Sequence, residues 1–180
     1  MNNDSGNNII LITGVMAAGK SSVAQALSER LNPSMHLRGD SFRRMIVNGR
    51  VDMSSEPDQP ALEQLLLRYK ASAETAKIYQ RAGFHVVYQD TIVGPILADV
   101  VDMYSNAPLS VVVLCPSIST VAHREEARSK TGYGRVTIQQ LHKAMEKTPR
   151  LGLWLDSSEQ SVAETVQSIL DNFDAAEITS

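Results

Sequence analysis

The sequence predicts an α/β fold of three layers, with a central, mostly parallel five-stranded sheet between helices. Three observations predict it. Short apolar runs alternate with helix-spaced segments along the whole chain, the order that builds parallel strands joined by crossover helices. The runs are continuous rather than alternating, so both faces of the sheet are expected to be buried. The chain has 180 residues, 43% hydrophobic and 21% charged, enough for one core. One domain is expected over residues 1–180, with 1–7 as a flexible start.

The elements follow in order. Asn7 to Thr13 holds the apolar, largely β-branched run Ile9 to Ile12, a buried strand. After Gly14 to Ser21, the residues Val23, Ala26, Leu27 and Leu31 fall at helical spacing over 22–31, and Asn32-Pro33 stops that helix. Met35 to Leu37 reads as a short strand ending at Gly39-Asp40, followed by a short helix over 41–47. Val51 to Pro60, with two prolines and two serines, reads as a loop or lid. A long helix is expected over 61–81, with Leu62, Leu65, Leu66, Tyr69, Ala73 and Ala76 on one face and Gly83 at its end. Phe84 to Tyr88 is the next strand, ending in Gln89-Asp90, and 95–104 the next helix. Leu109 to Cys115 is the clearest strand, stopped by Pro116. Helices over 119–130 and 137–147 flank the break Thr131-Gly132-Tyr133-Gly134. A last strand over 151–155 leads through Asp156-Ser157 into a helix over 159–172.

Gly14-Val15-Met16-Ala17-Ala18-Gly19-Lys20-Ser21 fits G-x-x-x-x-G-K-[ST]. The glycines let the backbone turn so that its N–H groups converge on one cavity. The following helix offers its N-terminus to the same point. Lys20 supplies a charge for β- and γ-phosphates, and Ser21 a hydroxyl for magnesium. A chance glycine turn is the alternative, but the motif follows an apolar strand and opens an amphipathic helix, the context it requires. This makes the expected fold that of a P-loop NTPase, with ATP and Mg2+ as cofactors. Gly14, Ala17, Ala18, Gly19, Lys20, Ser21 and Ser22 are the expected nucleotide contacts.

Asp40 and Asp90 both follow expected strands, at the carboxyl edge where open α/β sheets bind ligands. Asp90 is a candidate to hold magnesium, directly or through water. Asp40 is then free to accept the proton of an attacking hydroxyl. A helix N-cap is the competing role for each. Arg124 and Arg128 are four residues apart, hence on one helical face. Arginine forks there suit the charge that builds up in phosphoryl transfer; surface pairing with neighbouring acids is the alternative. Arg38, Arg43 and Arg44 flank Asp40, where acceptor contact and solvation stay open, and the role of Arg135 is open too.

On these residues the chain resembles the chloramphenicol phosphotransferase-like P-loop kinases over nearly its full length. The resemblance rests on 10–21, Gly39-Asp40-Ser41-Phe42, Gln89-Asp90-Thr91-Ile92-Val93-Gly94 and His123-Arg124-Glu125-Glu126-Ala127-Arg128. It implies an ATP-dependent kinase acting on an antibiotic hydroxyl, hence antibiotic resistance. It also implies Asp40 as base and the arginine helix as part of a mobile lid, about 119–150, over the phosphates. Fold analogy places adenine near Arg124 and Asp156.

The expected function is thus a small-molecule O-kinase with Asp40, Lys20, Arg124 and Arg128 as catalytic residues and Ser21 and Asp90 at the metal. A kinase of a nucleoside, nucleotide or activated sugar is the alternative, as is a nucleotide-dependent regulator that transfers nothing. The partner is a small hydroxyl acceptor. Nucleic acid is disfavoured, because 20 Asp+Glu against 17 Lys+Arg leaves a net charge of −3. No membrane is expected, since no apolar run approaches the roughly 20 residues a bilayer span needs. The polar start and the single cysteine, Cys115, point to the cytoplasm.

Overall fold

The computed structural model describes residues 7–54, 56–126 and 138–179, without the side chain of Ile138. Five strands form one sheet: β1 (Ile9–Gly14), β2 (Ser34–Arg38), β3 (His85–Gln89), β4 (Leu109–Leu114) and β5 (Leu153–Leu155). Their order is β2-β3-β1-β4-β5, and every neighbouring pair is parallel. Every residue of β1 and β4 is buried. Successive strand side chains point to opposite faces, so helices must cover both, as the continuous apolar runs predict.

The helices are α1 (Lys20–Arg30), α2 (Asp40–Met45), α3 (Gln59–Arg81), α4 (Ile96–Asp102), α5 (Ile118–Glu126), α6 (Ile138–Glu146) and α7 (Val162–Asp171). α1 packs on β3 and against α7, while α3 packs on β3 and against α2. The chain forms a three-layer α/β fold around the core of Ile9–Ile12, Val86–Tyr88 and Val111–Leu114. Among the described residues, no helix is long and apolar enough to cross a membrane.

Several boundaries differ from the sequence expectation for physical reasons. α1 begins at Lys20 rather than at 22, because Gly19 takes the left-handed conformation (φ 95°) that ends the loop. α3 begins at Gln59, since the Asp58 side chain accepts from the Ala61 amide at 2.9 Å and Pro60 sits in the first turn, where a missing N–H costs nothing. Leu62, expected on the buried face, is exposed, and Arg68 and Ser72 are buried there instead. β5 is shorter than expected because Gly152 turns the chain at φ 67°, where an added Cβ would strike the Val111 carbonyl. α7 starts at Val162 behind a capping box in which the Ser161 hydroxyl and Glu164 carboxylate satisfy each other's amides. The chain then returns through a 3-10 turn, Phe173–Ala176, and Glu177 makes an antiparallel bridge to Ser110. Residues 1–6 and 127–137, including Arg128, Arg135 and the glycine break, lie outside the described residues.

Candidate active site

The first strands end along one edge, and their last residues build the site. β1 ends at Gly14, which pairs in register with Leu114. Gly14 has φ 141°, and an added Cβ would run into the Leu114 carbonyl, so only glycine lets the loop leave the sheet here. Ala17 at φ 57° and Gly19 at φ 95° are both left-handed. Backbone of this kind forms an anion-binding concavity, and it leads into the N-terminus of the 11-residue α1. The Lys20 ammonium is buried and donates to the Gly14 carbonyl at 2.9 Å and to that of Val15 at 2.7 Å. The loop therefore holds a positive charge over its own cradle. Ser21 and Ser22 are exposed in the first turn of α1.

Asp40 is the first residue of α2, and Gly39 occupies the cap position with no side-chain cap bond. The capping role offered by the sequence therefore does not describe Asp40. Its carboxylate faces two guanidinium groups instead. Arg43 donates to Oδ1 at 3.0 Å and Arg44 to Oδ2 at 2.6 Å. Arg43 also donates to Asp52 in the following loop. Burial alone would raise the Asp40 pKa, but the hydrogen bonds and charges of Arg43 and Arg44 together hold it below the ordinary aspartate value. Asp40 is thus kept as a carboxylate, pinned in orientation from two sides.

Asp90, the second strand-end aspartate, sits in a buried, hydrogen-bonded pocket. It is 4% exposed. Oδ1 accepts from Arg68 at 3.0 Å and from the Thr91 amide at 2.7 Å, and Oδ2 accepts from the Tyr88 hydroxyl at 3.1 Å. Burial pushes its pKa up, against the pull of Arg68, the Thr91 amide, Tyr88 and Lys20. Gly39 packs on this carboxyl so closely that an added Cβ would overlap Oδ2. Asp90 therefore acts as the floor beneath the Gly39–Asp40 turn, paired with an arginine that the sequence reading did not single out.

On the far side, Arg124 of α5 reaches across to the β5–α7 loop and donates to the Ser157 carbonyl at 2.9 Å. A Cβ placed on Gly19 would lie 4.0 Å from its Nη1. The structure thus brings Arg124 to the phosphate loop and to the Asp156-Ser157 turn together. Asp156 itself is exposed, and its carboxylate accepts from the Ser158 amide at 2.9 Å and from the Ser158 hydroxyl. It organises that turn.

A family model described as an AAA domain, AAA_33, matches residues 9–151, the phosphate loop and both aspartates included. The chain belongs to the AAA_33 family. No curated protein matches it by sequence. Among solved structures, a sugar kinase from Janibacter sp. HTCC2649 superposes with a TM-score of 0.69 at 15% identity, covering 94% of this chain and 96% of that one. The tunicamycin resistance protein of Deinococcus radiodurans gives 0.68 at 13% identity, covering 97% and 99%. The APS kinase of Mycobacterium tuberculosis, solved with AMPPNP and APS, gives 0.69 at 18% identity, covering 94% and 98%. At such identities these likenesses carry the fold alone.

This AAA_33 chain also has a cavity of about 250 Å³ between α2, the 46–58 loop and α3. Phe42, Ile46, Val51, Met53, Leu65 and Leu67 give it apolar walls, and Arg43 and Arg68 reach it from the Asp40 and Asp90 pairs. Sequence reasoning left the role of Arg43 open and did not single out Arg68 or bring these walls together. One signal was present: Asp40, Arg43 and Arg44 stand at the i, i+3 and i+4 spacing of a helical ion pair. Arg68 carried a weaker one, lying next to Tyr69 on the apolar stripe of α3.

Proposed function

We propose that this protein is an ATP-dependent small-molecule O-kinase in which Asp40 is the base. The observation that carries the reading is the position of Asp40, a pinned carboxylate that heads α2 beside a cavity, at the same strand edge as the phosphate loop. The similar structures, a sugar kinase and an APS kinase among them, support the reaction class.

The residues present fit a magnesium nucleotide: the loop forms a cradle, its lysine is buried against it, and a cationic side chain overhangs Gly19. When bound, ATP supplies the phosphoryl group and Mg2+ neutralises charge on it. Gly14, Ala17, Ala18 and Gly19 bind phosphate through the backbone, Lys20 through its ammonium, and Ser21 and Ser22 through the first turn of α1. Ser21 is the assigned magnesium contact. Asp90 supports it indirectly: its charge faces Lys20, and its carboxyl is committed to Arg68, Thr91 and Tyr88. Arg124, with Arg128 further along the chain, stabilises charge as transfer proceeds. Arg124 and the Asp156-Ser157 turn form the adenine side.

Asp40 orients the acceptor hydroxyl and takes its proton. A base held low in pKa is weak, so its contribution is orientation and proton acceptance late in transfer, in keeping with a loose transition state. The test is transfer of label from γ-labelled ATP to a panel of alcohols, sugars and nucleosides. Label should appear on an acceptor with the wild-type protein and vanish with Asp40→Asn. Tight ATP binding with no transfer to any acceptor would favour a nucleotide-dependent regulator instead.

A further inference from the structure

We infer that the acceptor is an uncharged, mainly apolar alcohol, bound in the cavity between α2, the 46–58 loop and α3. The inference rests on the kinase reading above and specifies its substrate. Among the described residues, three polar side chains line this cavity: Arg43, Gln64 and Arg68. Each is already engaged within the protein. Arg43 bonds Asp40 and Asp52. Arg68 bonds Asp90. Gln64 accepts from the Val51 amide at 2.9 Å and donates to the Gly49 carbonyl at 2.7 Å, which bolts the 46–58 loop to α3 as a wall.

A sugar or polyol brings several hydroxyls, and each buried hydroxyl needs a partner or carries a desolvation cost. Here the Gln64 amide is bonded at both ends, and guanidinium groups donate but do not accept, so the cavity's polar side chains serve a polyol poorly. A phosphorylated or carboxylated acceptor would meet arginines whose charges are matched by Asp40, Asp52 and Asp90. An apolar body meets Phe42, Ile46, Val51, Met53 and Leu65, and Leu67 keeps an apolar mouth at 60% exposure. One hydroxyl suffices for transfer, and Arg43, which lines the cavity and bonds Asp40, sets the base one side chain from its wall. In transfer, the alcohol oxygen forms a bond to the γ-phosphorus and the bond to the β,γ-bridging oxygen breaks. That electron pair leaves on ADP, and the hydroxyl proton passes to Asp40 and then to solvent.

The test uses the full chain with Mg·ATP and defined probes: 3-phenyl-1-propanol and cyclohexylmethanol, against glucose, gluconate and glucose 6-phosphate. Phosphorus NMR reads the phosphate monoester, and ligand-observed NMR reads binding independently. The apolar alcohols should bind and show kcat/KM higher by about 10-fold or more. Ala71→Phe, which fills the cavity, and Met53→Asp, which charges its wall, should each raise KM for the alcohol and leave nucleotide affinity unchanged. Preference for a polyol or an anion overturns the inference and leaves the kinase reading standing. Failure of both apolar alcohols to bind also overturns it. Binding of an apolar alcohol that both variants abolish, without monoester, upholds the ligand class and counts against the kinase reading alone.

Discussion

Arg68 of α3 and Asp90 at the end of β3 form an ion pair at 3.0 Å, with their side chains 5% and 3% exposed. It lies between the cavity and the phosphate loop, because Arg68 lines the first and Asp90 faces Lys20 of the second. Breaking one partner strands the other as a buried charge, whereas removing both relieves the desolvation. Arg68→Met or Asp90→Asn should each cost about 3–5 kcal/mol. The double variant should recover much of that loss. Urea unfolding of the four proteins measures the coupling.

Gly39 is constrained by space rather than by backbone conformation, since its φ of −60° suits any residue. Its open flank is occupied by the Asp90 carboxyl. Gly39→Ala should therefore push apart the Asp40 turn and the Asp90 floor. The expected cost is about 1–3 kcal/mol, as for other overpacked sites, with a larger fractional loss of turnover than of nucleotide affinity. Calorimetric melting and nucleotide titration on the same variant check both.

The sheet and its order of helices were legible because buried parallel strands leave an unmistakable apolar run, as at Ile9–Ile12 and Leu109–Leu114. The phosphate loop was legible because its backbone demands glycine at fixed positions such as 14 and 19. Asp40 could be placed by its strand end, but its two arginines needed the helical spacing to be applied to a six-residue helix. Asp90 was legible only as a strand-end carboxylate, which looks alike in sequence whatever it faces. Its partner Arg68 lies 22 positions away on another element. The cavity was illegible because its walls come from three segments, and no local pattern states that they meet.

The arginines on Asp40 also set a pH signature. They hold its pKa below the ordinary 3.8 against the opposing effect of burial. Asp40 stays ionised as pH falls, so its acid limb in kcat/KM should lie below that ordinary value. Arg43→Met with Arg44→Met should shift the limb upward. A pH–rate profile at saturating ATP reads the displacement.

His36, on the β2 strand that leads into Asp40, also couples stability to pH. Burial, then the charge of Arg38, lowers its pKa from 6.5 to about 4. Between those values the unfolded chain binds the proton and the folded chain does not, so stability rises with pH across the window. Acidifying from about 6.5 to about 4 should lower the melting temperature. His36→Asn should flatten that part of the profile.

The most direct test of the account compares wild type and Asp40→Asn in two assays on the same preparations: ATP affinity, and acceptor-dependent ADP release. The proposed mechanism puts Asp40 on the acceptor side and the nucleotide on the loop side, so the two readouts should separate. The account predicts unchanged ATP affinity and a turnover lower by about 10²–10⁴-fold, the usual range for a positioned base. Unchanged turnover in Asp40→Asn, with ATP still bound, would contradict it.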